Sequence, residues 1–235
     1  MTQQLILDLL PAPPPTLNNF IVGGNQAALD ALKNCEPGRA IYLWGAPGAG
    51  RTHLLQALGN GPDSLYHGPH DPASGLKDIA TGELLALKLI AVDDVQLLDD
   101  NGQAALFALY NRWRELAAGR HAFSLILSGD RSPLTMPLRE DLRTRLGWDL
   151  VFRLELLSDQ DRAEALKTRA NERGLQLSAD VIGWVLNHYA RDMRQLSALL
   201  DALDRYSLEK HRPITLPLLK DLLATSQAPN EPTNL

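Results

Sequence analysis

Cysteine is nearly missing from this 235-residue chain. Cys35 stands alone, which excludes an intrachain disulfide and a cysteine-built zinc site and suits a reducing compartment. No run approaches the ~18 to 20 consecutive apolar residues of a membrane span. The opening Met1-Thr2-Gln3-Gln4 lacks the basic region of a secretory leader, so the expected setting is cytoplasmic with no membrane partner. An excess of positive charge is also absent. The formal charge is -5, from 23 Lys and Arg against 28 Asp and Glu, which argues against a molecule whose main work is gripping nucleic-acid phosphates. Residues 1–100 carry 5 basic and 11 acidic residues, and the remainder carries 18 and 17. The second part is therefore arginine-rich yet balanced, and its arginines suit paired surfaces and a nucleotide better than a DNA groove. What is abundant is apolar side chain, 45% of the total, enough for a soluble chain of one or two domains with a proper core.

The chain is organised around Gly45-Ala46-Pro47-Gly48-Ala49-Gly50-Arg51-Thr52, which follows the apolar run Ala40–Trp44 and precedes Leu54-Leu55-Gln56-Ala57-Leu58. Strand, glycine-rich turn and helix start, in that order, are the setting in which G-x-x-x-x-G-K-[ST] cradles phosphate. The glycines let successive N–H groups point inward, and the helix N-terminus adds partial positive charge. Pro47, Gly48, Ala49, Gly50, Arg51, Thr52 and His53 are the candidate nucleotide contacts. Arg51 departs from the pattern, because a rigid guanidinium fork stands where a slender lysine is expected. Nucleotide binding should survive this exchange better than fast turnover.

Downstream, Leu87–Val92 reads as a strand buried on both faces and ends in Asp93-Asp94. With a phosphate loop ~40 residues upstream, Asp93 is expected to hold the hydration shell of Mg²⁺ beside Thr52, and Asp94 to polarise the attacking water or join the ion. A further strand, Phe123–Ser128, delivers Asp130 to the same edge. Strands alternating with helices through Leu157 predict a parallel α/β core, and residues 158–224 read as an all-helical second unit. Ser158, three residues before Asp161, opens its first helix, and Arg173-Gly174 closes it. Residues 68–82 read as a Gly/Pro/Asp-rich loop with room for one helical turn. The tail 225–235 is polar and expected to be disordered.

At the other end, residues 1–10 are leucine-rich and cut off by a stiff proline spacer, residues 11–15. Such a segment either docks on its own domain or inserts its leucines into a groove on another protein.

A phosphate loop, an acidic strand end and a small helical lid resemble the AAA+ ATPase architecture, here a P-loop parallel-sheet core over residues 16–157. Four passages resemble DnaA-type initiators: Asn19-Phe20-Ile21-Val22-Gly23 their adenine-covering segment, Val92-Asp93-Asp94-Val95-Gln96 their Walker B strand, Ser128-Gly129-Asp130-Arg131 their sensor 1 turn, and Arg191-Asp192-Met193-Arg194-Gln195-Leu196 their sensor 2 helix. The resemblance places Phe20, Ile21 and Val22 over the base and Asp130 and Arg194 near the phosphates. Gln4-Leu5-Ile6-Leu7-Asp8-Leu9 resembles the hexapeptide that docks into the replicase sliding clamp, through Gln4, Leu5, Leu7 and Leu9. Together with the absence of a following helix-turn-helix region, the combination resembles the Hda family of DnaA regulators. That resemblance implies an ADP-bound protein, held on the DNA-loaded clamp, that drives hydrolysis of the ATP on DnaA. Asp141-Leu142-Arg143-Thr144-Arg145-Leu146-Gly147-Trp148 matches the family's arginine-finger segment, which makes Arg145 the residue acting in trans and Arg143 the second choice.

Two other readings stay open on the residues alone. An autonomous AAA+ ATPase, such as a helicase loader or clamp-loader subunit, could use Thr52, Asp93 and Asp94, although Arg51 and the Asp at the catalytic-acid position weigh against it. A DNA-binding regulator is disfavoured by the charge balance. ATP or ADP as resident nucleotide, and the oligomeric state, are not readable.

Overall fold

In the computed structural model the described residues are 14–82, 87–189 and 193–225, with the side chain of residue 194 outside the description. The candidate clamp contacts Gln4, Leu5, Leu7 and Leu9 lie outside the described residues, as do most of the proline spacer and residues 226–235. The chain forms two compact units, Pro14–Leu157 and the stretch from Ser158 onward. Among the described residues no helix is long and apolar enough to cross a membrane.

The first unit is built on five short apolar strands: β1 (Ala40–Trp44), β2 (Ser64–His67), β3 (Leu89–Val92), β4 (Ser124–Gly129) and β5 (Leu150–Arg153). All pair in parallel, in the spatial order β2-β3-β4-β1-β5. A parallel sheet is covered on both faces, and the alternation of side chains feeds two separate cores. Ala40, Tyr42, Ile90, Val92, Leu125 and Leu127 face one core, with α4 (Asp100–Leu116) and α5 (Glu140–Leu146). Ile41, Leu43, Ala91 and Ile126 face the other, with α1 (Gln26–Lys33) and α2 (Arg51–Gly59). Asp99 starts α4 by accepting a 2.7 Å hydrogen bond from the Gly102 N–H, so the helix begins at Asp100.

Residues 68–82 are not the expected loop. Ala73–Thr81 forms a nine-residue helix, α3, with Leu76 and Ala80 buried and Ile79 packed beside them. Positions i, i+3 and i+4 make one apolar stripe, and its burial in the α4 core outweighs Gly75 and the flanking Pro72.

Among the described residues the second unit forms four helices: α6 (Asp159–Glu172), α7 (Ala179–His188), α8 (Met193–Lys210) and α9 (Leu216–Thr225). Leu166, Val181, Val185, Leu196, Leu199, Leu203, Leu218 and Leu222 close a core of their own. A reciprocal capping box fixes the entry to α6: the Ser158 hydroxyl accepts from the Asp161 N–H, and the Asp161 carboxylate accepts from the Ser158 N–H. Gly174, at φ +73°, turns the chain out of the helix. The last helix extends through Thr225, one residue into the expected tail.

Candidate functional site

The loop between β1 and α2 leaves the sheet beside the ends of β3 and β4, so Gly45, Asp93 and Asp130 meet at one edge. Gly48 (φ +86°) and Gly50 (φ +91°) both occupy the left-handed region that side-chain-bearing residues avoid. Gly50 has a second constraint, because a Cβ there would lie 2.7 Å from the Phe20 ring. Ala46, Pro47 and Gly48 are exposed at the loop's crest, and Ala49 is buried beneath it. Thr52 and His53 are half-buried in the first turn of α2.

The segment before α1 is clipped onto this loop. Phe20 and Val22 pack on the α2 core and Ile21 is half-buried. The Phe20 and His53 rings lie 5.6 Å apart, and the carbonyl of Thr16 accepts from His53 Nε2 at 2.9 Å. Asn25 anchors the far end through two bonds to Glu155, donating from Nδ2 at 3.0 Å and accepting on Oδ1 at 2.7 Å. Sequence reasoning passed over Asn25. Its signal, a polar residue ahead of a helix with no side-chain cap to make, appears only when β5 is in place.

The two acids have different lives. Asp93 is 1% exposed, and both its carboxylate oxygens accept hydrogen bonds: Oδ1 from the Ser128 hydroxyl and the Asp94 N–H, and Oδ2, with a lone pair to spare, from the Tyr66 hydroxyl at 2.9 Å. Burial, then the negative charge of Asp93, pushes the Tyr66 phenol well above its usual range, so Tyr66 stays a donor. Asp94 holds φ +46°, uncommon for a residue with a side chain. Its N–H binds both Asp93 Oδ1 and Ser128 Oγ at 3.0 Å, which fixes that backbone. Its Oδ1 then meets Arg51 Nη2 at 3.1 Å and accepts from Gln96 Nε2 at 2.9 Å. Arg51 is 9% exposed, and its Nη1 is buried with no hydrogen-bond partner. A buried guanidinium nitrogen without an acceptor, beside a glycine loop, fits an anion as its missing partner.

Asp130 is turned sideways. Its carboxylate takes a bidentate bond from Arg131, at 2.9 and 2.6 Å, and its N–H donates to Gln96 Oε1 at 3.2 Å. The Arg131 hydrogen bonds hold the Asp130 carboxyl below its usual range. Gln96 thus joins the Asp94 and Asp130 tips, a role its sequence position did not disclose.

Arg145 lies apart from these groups, on the face where α5 meets α4. Its guanidinium sits 3.9 Å from the Phe107 ring centre and 4.8 Å from that of Trp148, and Nη2 donates to Asn111 Oδ1 at 2.9 Å. None of these contacts reaches the phosphate loop. Arg143 is half-buried on the same helix. The backbone of residue 194 falls in the first turn of α8, but its side chain, like residues 191 and 192, lies outside the description.

This arrangement is that of a P-loop protein of the AAA+ class, with a five-stranded parallel core and a helical lid unit. The chain is similar in fold to domain III of the replication initiation protein DnaA of Thermotoga maritima, at 24% identity and TM-score 0.68, over 93% of this chain and 100% of that one. It is similar to AMPPCP-bound DnaA from Aquifex aeolicus at 27% identity and TM-score 0.64, over 85% and 68%. A RuvB variant of Thermotoga maritima shares the fold at 16% identity and TM-score 0.64, over 92% and 73%. Residues 159–223 match the family model described as Hda, lid domain. In its lid unit the chain is Hda-like, and in fold it is similar to the DnaA-related AAA+ proteins.

Proposed function

We propose that this protein regulates the initiation of DNA replication by binding a nucleotide in its own phosphate loop and lending Arg145 to the ATP site of DnaA. The observation that carries the reading is the Arg51–Asp94 pair, at 3.1 Å. The acid that would polarise water for the protein's own hydrolysis is held by the protein's own phosphate-loop cation and by Gln96. Such a site favours holding a nucleotide over turning it over, which directs catalysis elsewhere.

In this reading the amides of residues 47 to 52 take the diphosphate of ADP or ATP, with Arg51 Nη1 turned to the same anion. Phe20, Ile21 and Val22, steadied by His53 and Asn25, cover the base. The Thr52 hydroxyl and, through water, Asp93 supply the hard oxygen donors that suit Mg²⁺, which would neutralise phosphate charge there. Asp94 can join the ion only by leaving Arg51. Arg194 is the further phosphate contact that the resemblance to the sensor 2 helix implies. Arg145, or failing it Arg143, enters the partner's site, where a guanidinium stabilises charge on the transferring phosphoryl group and is worth ~10³ to 10⁵ in rate where such fingers operate. Gln4, Leu5, Leu7 and Leu9 hold the protein on the sliding clamp, so that activation follows the passage of the replicase.

The test is a reconstituted hydrolysis assay containing ATP-loaded DnaA, clamp and DNA. Wild-type protein turns over little ATP alone and accelerates hydrolysis by DnaA, whereas Arg145→Ala leaves DnaA at its basal rate with unchanged ADP affinity. Brisk turnover by the isolated protein favours an autonomous ATPase instead. Alanine at Gln4 and Leu5 is expected to abolish clamp retention while sparing nucleotide binding, and full retention would remove the clamp assignment.

A further inference from the structure

Several arginines among the described residues are neutralised by carboxylates. Arg39, Arg51, Arg131, Arg139, Arg153 and Arg173 each meet an Asp or Glu within 3.3 Å. Arg145 does not. Among the described residues its partners are all neutral: the Phe107 and Trp148 rings, the Asn111 side-chain amide, and the Asp141 backbone carbonyl at 3.5 Å. The Asp141 carboxylate, one helical turn away, is drawn off by Arg139 at 2.8 Å. Arg145 Nε is moreover buried with no acceptor.

We propose that Phe107, Trp148 and Asn111 form a neutral clamp that holds Arg145 in a stowed pose and releases it to a phosphate. The inference rests on the finger assignment made above and concerns its regulation. The chemistry is a matter of rank. An aromatic face and a neutral amide hold a guanidinium weakly and with little directional demand, whereas a carboxylate or phosphate offers a charge-assisted, bidentate grip. A stowed arginine on a carboxylate would have to break an ion pair before acting. One on neutral groups gives up weak contacts, gains a strong one, and brings its unsatisfied Nε–H to an acceptor. The clamp also keeps a long, flexible side chain from wandering, which reduces the entropy lost when it is delivered. Arg114, 5.0 Å from the Trp148 ring centre, adds a second cation beside this ring and suits the approach of an anionic partner site.

Asn111→Asp tests this directly, since it changes the shape of the clamp hardly at all and places a carboxylate where Arg145 Nη2 now donates. Four proteins are compared in the same DnaA hydrolysis assay: wild type, Arg145→Ala, Asn111→Asp and Asn111→Ala, each with its ADP affinity and melting temperature. The clamp predicts that Asn111→Asp lowers the stimulated rate at least tenfold while its melting temperature stays level or rises and its ADP affinity stays unchanged. Asn111→Ala, which loosens the clamp, stimulates as well as wild type or better despite a lower melting temperature. The neutral clamp is overturned, with the finger intact, if Arg145→Ala is inactive and Asn111→Asp stimulates within twofold of wild type. It is equally overturned if the Asp and Ala variants lose activity together, because Asn111 then serves the fold or the catalytic pose. Full activity of Arg145→Ala removes the finger, and the clamp with it.

Discussion

At the scale of single residues, the choice of arginine at position 51 is matched by a choice of partner. A guanidinium at a phosphate loop needs an acceptor when no phosphate is present, and Asp94 supplies one across the loop at 3.1 Å. Removing one member of a mostly buried pair strands the other, so Asp94→Asn is expected to destabilise the nucleotide-free protein by about 1–3 kcal/mol, read as a lower urea midpoint. The same change frees Arg51, so ADP affinity should hold or improve. Loss of ADP binding in this variant would show that Asp94 serves the nucleotide directly. His67 offers a second test at this scale. It is buried at the end of β2, its Nε2 has no partner, and burial lowers its pKa against a weaker opposing pull from Asp71. The unfolded chain therefore binds the proton more readily. The stability this difference governs is complete above the unfolded value of about 6.5 and is lost as pH falls from there through the folded value. Urea midpoints should drop between about pH 7 and pH 5 in wild type, and drop less in His67→Gln. An equal slope in both would exonerate His67.

At the scale of elements, the strands that carry the site and the first helix of the second unit were readable because each has one strong local reason. β1 and β3 are short apolar runs closed by loop chemistry, and the helix at Ser158 has a capping box written in its first four residues. The helix α3 was not readable, because its reason is α4: an apolar stripe of Leu76, Ile79 and Ala80 carries little signal across a stretch rich in Gly, Pro and Asp until there is a surface to bury it. The site divides in the same way. The phosphate loop and the acid pair are contiguous motifs, whereas Tyr66, Gln96, Ser128 and Asn25 act through partners 27 to 130 positions away, and no local pattern marks them. The turn at Gly50 combines both kinds of constraint, left-handed backbone and the close approach of Phe20. Gly50→Ala is therefore expected to weaken ADP binding at least tenfold, through either a twisted loop or a displaced Phe20, while the far-ultraviolet circular dichroism of the sheet unit stays as in wild type. Wild-type affinity in this variant would mean that the loop is softer than its dihedral angles imply.

At the scale of the whole molecule, the two units have separate cores, and a ligand held by one need stabilise only that one. The tryptophans make the distinction measurable. Of the four, Trp44, Trp113 and Trp148 belong to the sheet unit and Trp184 alone to the helical unit. In a Trp184→Phe protein, fluorescence on heating reports the sheet unit by itself. A ligand that binds only the folded form contributes RT ln(1 + [L]/Kd), about 2.7 kcal/mol at a hundredfold excess over Kd. For a unit of this size each kcal/mol moves the midpoint by roughly 2–4 °C, so ADP should raise the fluorescence transition by about 5–10 °C. Gly50→Ala in the same background should lose about half of that shift or more at the same ADP concentration, because it damages the loop and leaves the core alone. A shift of equal size in both proteins would place the stabilising ligand somewhere other than the loop between β1 and α2. The Arg51–Asp94 pair would then be a structural tie with no bearing on where hydrolysis is catalysed.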